Sequence, residues 1–293
     1  MSDLKVIAQM QHAVSGYGAE PILKGVDLTL EQGTITGLLG RNGAGKTTLM
    51  RTLVGLIKPS LGEAQIFGES SYTSSSRARR RLGYVSQEAV DLGVLRSVRE
   101  VVYAFSQFYP TWDKAQSDKR MQDWGLASKS QSSLSTGERQ KVSLLLGMGH
   151  NPDFLVLDEP VSSLDPAARR DFMSELVDQN FMKGQTVLLS SHITSDIERI
   201  ASHVAIVRDG EVVLHRELDE LREFTKLVTF NAGSAESISD VEGLFVRFGN
   251  QAWIHCESDT LLRNEVARSG FSLEEFFLAM TDQSAALPPK VKK

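Results

Sequence analysis

The sequence predicts an α/β protein whose core is a mostly parallel β-sheet, and two stretches carry this prediction. Residues 35–53 read as an apolar strand, a glycine-rich turn and an amphipathic helix. Residues 154–157 form a continuous apolar run of strand length, as in a sheet that is covered on both faces. A helical pattern at 166–181 and an apolar strand at 186–189 follow, which completes a β-α-β unit typical of a parallel sheet.

The other elements follow in order along the chain. Alternation of apolar and polar residues predicts strands before the glycine-rich turn, and the helix after that turn is expected over 46–56. The segment 97–126 has a helical pattern with a break at Pro110, and Thr111 is the expected cap of the second helix. A hairpin is predicted over 204–214, because an Asp-Gly pair separates two apolar strands there.

The composition is that of a soluble globular protein, and it narrows the range of partners. The 293 residues carry a formal net charge of −5, so no nucleic-acid partner held by bulk charge is expected. Cys256 is the only cysteine, so an intrachain disulfide is excluded and a reducing cytosol is indicated. No apolar run approaches the roughly 18 residues of a membrane span. A function at a membrane would therefore need another chain to cross the bilayer.

The glycine-rich turn has the spacing of a phosphate-binding loop, G-x-x-x-x-G-K-[ST]. Its glycines allow several backbone N–H groups to converge on one anion, and the helix N-terminus adds about half a positive charge. Lys46 is expected to reach the β- and γ-phosphates of a nucleotide, and the Thr47 hydroxyl is expected to bind Mg²⁺. The nucleotide-binding residues expected in this loop are Asn42, Gly43, Ala44, Gly45, Lys46, Thr47 and Thr48.

Two further motifs place polar groups at the ends of predicted elements. Asp158 and Glu159 end the buried strand, where one carboxylate can hold Mg²⁺ and the other can orient or deprotonate an attacking water. Ser135 and Gly137 stand at the start of a long helix, where a hydroxyl and backbone amides form a second anion site. Taken singly, these motifs are also typical of a strand-end turn and of an ordinary helix cap.

In their order along the chain, the motifs resemble those of the nucleotide-binding subunit of an ATP-binding cassette (ABC) transporter. The resemblance covers about residues 4–220. The glycine-rich loop resembles Walker A, and Asp158 with Glu159 resembles Walker B and the catalytic glutamate. The remaining matches are Tyr17 to the A-loop aromatic residue, Gln87 to the Q-loop glutamine, residues 134–138 to the LSGGQ signature, residues 163–165 to the D-loop, and His192 to the switch histidine.

The resemblance implies a fold, two ligands and a set of residue roles. The implied fold is that of the ABC ATPases among the P-loop nucleotide hydrolases. It has a mostly parallel core sheet, an antiparallel β subdomain and a helical subdomain. The implied ligands are ATP and Mg²⁺, and the implied catalytic residues are Glu159 and His192. The further ATP contacts implied are Tyr17, Gln87, Ser135, Gly137 and Asp165, and the implied Mg²⁺-binding residues are Thr47, Gln87 and Asp158.

The extent of the resemblance and a change in sequence texture give the expected domains. Residues 1–223 are expected to form the ATP-binding domain, with its helical subdomain at about 88–150. Beyond it, three strand patterns and one capped helix predict a small α+β domain over 224–285. Residues 286–293 are predicted to be a disordered tail.

The signature departs from the family pattern at two positions. Thr136 stands where the family usually has glycine, and its Cβ is expected to crowd a backbone that must approach phosphate closely. Glu138 stands where the family usually has glutamine, and it adds a negative charge near an anion site. Because Ser135 and Gly137 are kept, we interpret the site as altered rather than inactive.

The resemblance also implies partners. In this family two ATPase subunits enclose two ATP molecules, so Ser135 would act on the nucleotide of a second subunit, either identical or a paralogue. Integral membrane permease subunits are the other expected partners, which places the chain at the cytoplasmic face of the cell membrane. Residues 108–113 are similar to a stretch in ABC-2-type exporters of drugs, peptides and other hydrophobic cargo. Four aromatic residues either dock the permease or fill the helical subdomain, namely Phe105, Phe108, Tyr109 and Trp112.

Three functions remain open at this stage. An exporter ATPase is favoured, and an importer ATPase differs from it in the permease that it serves. The third is a non-transport ABC ATPase that acts on ribosomes or DNA. The single cassette disfavours the ribosome-acting members, and the short segment between Lys46 and Ser135 leaves no room for the long coiled coil of the DNA-repair members.

Overall fold

The computed structural model describes residues 5–18, 20–89, 96–231, 243–248, 250–256, 265–283, 285 and 287. The strands are β1 (Val6–Ser15), β2 (Leu23–Glu31), β3 (Ile35–Gly40), β4 (Leu61–Ile66), β5 (Glu69–Ser70), β6 (Leu82–Val85), β7 (Phe154–Leu157), β8 (Thr186–Ser190), β9 (His203–Arg208), β10 (Glu211–Glu217), β11 (Thr225–Phe230), β12 (Leu244–Phe248), β13 (Gln251–His255) and β14 (Glu265–Ser269). The helices are α1 (Lys46–Leu53), α2 (Ser76–Arg80), α3 (Val98–Ser106), α4 (Lys114–Asp123), α5 (Thr136–Met148), α6 (Pro166–Lys183), α7 (Thr194–Ile200), α8 (Leu218–Phe224) and α9 (Leu273–Thr281).

The central sheet has six strands in the order β10-β9-β3-β8-β7-β6. Every neighbouring pair from β9 to β6 is parallel, and the edge strand β10 is antiparallel to β9. Strands β7 and β8 are buried along their whole length, as their unbroken apolar sequences predict. The carboxyl ends of β3, β6, β7 and β8 therefore lie at one edge of the sheet, and the predicted site residues follow these ends.

A second, antiparallel sheet has the order β2-β1-β4-β5. Its inward residues share one hydrophobic cluster with α1 and the central sheet, which joins Leu28, Leu49 and Val156. Burial of such side chains stabilises by about 25 cal/mol per Å² of apolar surface. Helix α1, which follows the phosphate loop, is therefore fixed by both sheets. These features confirm the ABC ATPase fold predicted from the motifs.

Helices α3, α4 and α5 surround a hydrophobic cluster of their own. Phe105 and Trp112 pack against this cluster, whereas Phe108 is 72% exposed. The ring of Tyr109 stacks on the ring of His150, with the two centroids 4.1 Å apart. The four aromatic residues are thus divided between the interior of this helical part and its surface. Within the described residues, no helix has the length and apolar character needed to cross a bilayer.

The predicted cap of α4 is wrong by two residues. Asp113 is the cap, because its side chain accepts a hydrogen bond from the backbone N–H of Gln116. The Thr111 hydroxyl instead donates to the carbonyl of His150, at 2.9 Å. Thr111 therefore ties the α3–α4 connection to the residues that follow α5.

The C-terminal segment forms a third, antiparallel sheet in the order β12-β13-β11-β14, followed by α9. It has four strands where the sequence predicts three, and β14 is the additional one. Trp253 of β13 and Phe276 of α9 are fully buried, and their rings pack edge to face at 5.5 Å.

Helix α9 lies against α7 and the central sheet. Phe276 therefore belongs to the same hydrophobic cluster as Ile197 of α7 and Ile206 of β9. This cluster is continuous across residue 223, so the domain boundary there stays a prediction from sequence. Of the predicted tail, Leu287 packs against the cluster, and the other residues lie outside the described part of the chain.

Candidate functional site

The phosphate loop connects the end of β3 to the start of α1. Gly43 and Gly45 have φ angles of +80° and +107°, in the left-handed region that a side chain disfavours. The backbone therefore curls tightly enough for Lys46 to open α1 directly after the turn. Among the other predicted residues of the loop, Asn42 is exposed, Ala44 and Thr48 are buried, and Thr47 is half-buried.

Lys46 is buried within this curl, and its Nζ donates to the carbonyl of Gly40 at 2.6 Å. Burial lowers the pKa of Lys46 from its ordinary value, while the negative charges of Glu159 and Asp158 act in the opposite direction. Both carboxylates thus act on the same ammonium group. The fold therefore brings the phosphate loop and the predicted Walker B carboxylates together.

Asp158 and Glu159 follow β7 and are joined through Ser190 at the end of β8. The Ser190 hydroxyl donates to Asp158 Oδ1 and accepts from the backbone N–H of Glu159, both at 2.8 Å. Asp158 and Ser190 are fully buried. The Ser190 hydroxyl therefore holds Asp158 through its carboxylate and Glu159 through its backbone N–H.

Glu159 points its carboxylate to the predicted switch histidine. Its Oε2 lies 2.8 Å from His192 Nδ1, and His192 is much the more exposed of the two side chains. Glu159 also has a φ of +49°, a left-handed conformation that is uncommon for a residue with a side chain. A carboxylate held this way can accept a proton from a water that approaches from the exposed side.

The residues at this edge also fit a divalent cation. Asp158 Oδ2 is buried and has no hydrogen-bond partner within the described residues. A buried carboxylate oxygen without a donor suits a cation or one of its bound waters. The Thr47 hydroxyl, at the start of α1, provides a second oxygen of the type that Mg²⁺ binds.

Tyr17 and Gln87 are both exposed. Tyr17 is 61% exposed, and its hydroxyl accepts a hydrogen bond from Arg51 Nη1 at 2.9 Å. Arg51 belongs to α1, so the predicted A-loop residue is tied to the helix of the phosphate loop. Gln87 lies two residues beyond β6, at the same edge of the sheet as Asp158.

The signature forms the exposed N-terminus of α5. Ser135 caps this helix, and its hydroxyl accepts from the backbone N–H of Glu138 at 3.3 Å. In return, Glu138 Oε2 accepts from the backbone N–H of Ser135 at 2.9 Å, which completes a capping box. A Cβ at Gly137 would lie 2.7 Å from the carbonyl oxygen of Ser163. Glycine is therefore required where the signature meets the predicted D-loop of the same chain.

Asp165 of the predicted D-loop is exposed and caps α6. Its carboxylate accepts from the backbone N–H groups of Ala167 and Ala168. The hydrogen bond from Ala168 is the main cause that lowers the pKa of Asp165 from its ordinary value. The position of Asp165 thus has a local explanation, and its predicted contact with ATP stays a prediction.

Ser190 and Arg51 are residues of this site to which the sequence analysis gives no role. Ser190 had a weak signal, because a polar residue ends the apolar run of β8 just before His192. Arg51 had none, since a basic residue on an amphipathic helix is usually solvated. Both become recognisable once β7, β8 and α1 are brought together.

The fold and this site define a P-loop nucleotide hydrolase with a Walker-type carboxylate pair. The family model described as "ABC transporter" matches residues 23–162. The bacitracin transport ATP-binding protein BcrA of Bacillus licheniformis is 31% identical over 210 residues, which are 71% of this chain and 68% of BcrA. The chain therefore belongs to the ATP-binding proteins of ABC transporters, and it is an ATP-binding ATPase.

Two further comparisons agree with this assignment. The probable multidrug ABC transporter ATP-binding protein YbhF of Escherichia coli K12 is 32% identical over 232 residues, covering 72% of this chain and 40% of YbhF. A solved structure of an ATP-binding subunit of an ABC transporter superimposes with a TM-score of 0.67 at 27% identity. It covers 74% of this chain and 92% of that one.

Proposed function

We propose that this chain is the ATPase subunit of an ABC exporter, which closes with a second ATPase subunit around two ATP molecules and drives a separate permease. The observation that carries the proposal is the hydrogen-bonded series from Asp158 through Ser190 and Glu159 to His192. It lies beside the phosphate loop and joins a cation-binding oxygen to a proton acceptor. This arrangement supports hydrolysis of a bound nucleotide by a positioned water.

Each side chain has a role in the proposed reaction. Lys46 exchanges the Gly40 carbonyl for oxygens of the β- and γ-phosphates when ATP binds. Glu159 orients the attacking water and accepts its proton, while His192 holds the carboxylate in place. Tyr17 stacks on the adenine. Thr47, Asp158 and Gln87 would hold Mg²⁺, which would supply positive charge beside the phosphates.

The second subunit supplies the other side of each ATP site. Ser135 and Gly137 are at the solvent-facing tip of α5, and Asp165 is exposed nearby on the D-loop. The exposure of Ser135 supports a contact made across the dimer with the γ-phosphate in the partner's phosphate loop. The partner is a second copy of this chain or a paralogue.

Exposed aromatic side chains on the helical part support a docking surface for the permease. Tyr103 of α3 is 68% exposed, and Phe108, just beyond the helix, is 72% exposed. Large aromatic rings that remain in water are typical of interaction sites. The names of BcrA and YbhF refer to bacitracin and to multidrug transport, which supports export of a bulky hydrophobic compound at the cytoplasmic face of the membrane.

The hydrolysis step is tested with Glu159→Gln. The amide keeps the shape of the side chain but cannot accept a proton, so we expect kcat for ATP to fall at least about 100-fold while ATP still binds. Light scattering with and without ATP should show a dimer that persists in the variant. Glu63→Gln, at an exposed position on β4, is the control. A wild-type rate in Glu159→Gln would refute the assignment of the proton acceptor.

The transport partner is tested by gentle purification of the full-length chain from native membranes. Recovery with a multi-helix membrane protein of the ABC-2 permease type would support the exporter. Recovery with an importer permease and a substrate-binding protein would mean that the chain drives import instead of export. Recovery with ribosomes or DNA would leave the ATPase chemistry and overturn the proposed transport function.

A further inference from the structure

The signature of this chain contains a charged group that a neutral glutamine would not supply. Glu138 lies in the first turn of α5, where the helix N-terminus favours an anion. Its Oε2 already occupies the backbone N–H of Ser135. A γ-phosphate that arrives at the same turn therefore meets a fixed negative charge, and the two charges repel each other.

Lys129 compensates for this charge. Its Nζ lies 3.2 Å from Glu138 Oε1, the oxygen that Ser135 does not use. Both oxygens of the carboxylate thus have a donor, one from the helix cap and one from Lys129. The ammonium and the backbone N–H together lower the pKa of Glu138, with the Ser135 hydrogen bond as the larger cause. The carboxylate is therefore held ionised and in one orientation.

The backbone of Lys129 is itself held in place. Its N–H donates to the carbonyl of Leu126, and its carbonyl accepts from Val98 at the start of α3. The ammonium group therefore extends from a fixed connection between α4 and α5. Formation of the ion pair then has to restrict the side chain of Lys129 but not its backbone.

We propose that Lys129 is a positioning residue of the ATP site, which acts through Glu138 on Ser135. By neutralising Glu138 and holding it against the Ser135 backbone, Lys129 lets the helix N-terminus accept the γ-phosphate of a partner's ATP. The Ser135 hydroxyl accepts from Glu138, so its own hydrogen stays available to a phosphate oxygen. The inference rests on the proposed function, because it requires that the signature contacts ATP across a dimer.

A double-mutant cycle on the full-length protein tests the coupling. In the wild-type background, Lys129→Met is expected to raise KM for ATP about three- to tenfold with little change in kcat, since it weakens closure around ATP. In a Glu138→Gln background, the same substitution is expected to change KM less than about 1.5-fold, because no charge is left to neutralise. Lys129→Arg should restore most of the wild-type KM.

Lys114→Met is the matched control. Lys114 pairs with Asp118 at 3.7 Å on α4, so the variant also removes one lysine from a surface ion pair. It should leave KM unchanged. If Lys129→Met lowers the melting temperature of the protein but leaves KM unchanged, the ion pair of Lys129 with Glu138 only stabilises the fold, and the proposal fails. Equal effects of Lys129→Met in both backgrounds would also overturn the proposal.

Ser135→Ala separates this inference from the function on which it rests. If Ser135→Ala leaves ATP turnover unchanged, the signature has no part in hydrolysis, and both proposals fail. If Ser135→Ala lowers turnover while the Lys129 and Glu138 effects are simply additive, only the role of Lys129 fails. Reduced turnover together with a non-additive cycle supports both.

Discussion

The two halves of the proposed ATP site differ in burial and in how their polar groups are paired. In the phosphate-loop half, Lys46 and Asp158 are buried, and Asp158 Oδ2 has no partner within the described residues. In the signature half, Ser135 is exposed and its backbone N–H is already paired with Glu138. The first half is thus built for a ligand that supplies missing partners. In the second half, the capping box already pairs the polar groups of Ser135 and Glu138 within the chain.

Apart from Glu159→Gln, the largest effect is expected from removing the residue that joins the two carboxylates. Ser190→Ala leaves Asp158 Oδ1 and the N–H of Glu159 without their buried partner. Without these two hydrogen bonds the Asp158 carboxylate and the Glu159 backbone are less precisely positioned, and a misplacement of about 1 Å can cost about 100-fold in rate, so kcat should fall about 10- to 100-fold. Steady-state ATP hydrolysis measures the loss.

The adjacent serine provides the control for that experiment. Ser191 is also buried, but its hydroxyl accepts from the backbone N–H of Ile193, whereas that of Ser190 donates to Asp158. Ser191→Ala should therefore reduce kcat much less than Ser190→Ala. Equal losses in the two variants would mean that Ser190 acts through general packing at the end of β8.

A smaller effect is expected where the signature meets the D-loop. The Cβ of Gly137→Ala would lie 2.7 Å from the Ser163 carbonyl, so the start of α5 must shift. We expect turnover to fall about tenfold, because a displacement of a binding group by part of an ångström misaligns it. Gly270→Ala, at a position with open space, is the control. Unchanged turnover in Gly137→Ala would show that the signature half tolerates displacement.

Thr136→Gly is expected to raise kcat for ATP about two- to threefold. Thr136 is exposed at the first turn of α5. Its φ is not in the left-handed region, so the backbone conformation there does not itself require glycine. Removal of Cβ lets phosphate approach the backbone more closely. Thr136→Ala, which keeps Cβ, should show no gain in kcat. A flat or reduced kcat in Thr136→Gly would contradict the crowding argument.

The smallest effect concerns the far end of the signature helix. Burial lowers the pKa of His150, which lies at hydrogen-bond distance from the Leu82 carbonyl. The unfolded chain therefore binds more protons at acidic pH, so stability is lost as pH falls below about 6.5. Urea unfolding at pH 7.5 and 5.5 should show a smaller acid loss in His150→Gln than in the wild type. The same acid loss in both would exclude His150 as its source.

The sequence predicts the phosphate-loop half better than the signature half. The loop, Asp158 and Glu159 are contiguous in sequence with the strands that position them, so spacing alone locates them. Ser190 and Arg51 escape detection because their partners are distant along the chain. Ser190 meets Asp158 only because β7 and β8 pair in parallel, with Leu157 opposite Leu189.

Local rules also fail where two residues compete for one role. Thr111 and Asp113 can both cap a helix, and the carbonyl of His150 decides between them by accepting the Thr111 hydroxyl. The capping box of Ser135 and Glu138 was predictable in type from its spacing. The ion pair of Glu138 with Lys129 was not predictable, since several residues separate the two along the chain.

The contact of α9 with α7 has a consequence for shortened versions of the gene. The family match ends at residue 162, yet the hydrophobic cluster of the central sheet continues to Phe276 and beyond. A fragment that stops at residue 223 would leave Ile197 and its neighbours facing water. Such a fragment should aggregate or require detergent, so tags and truncations are better placed after Leu287, which still packs against the cluster, than at residue 162 or 223.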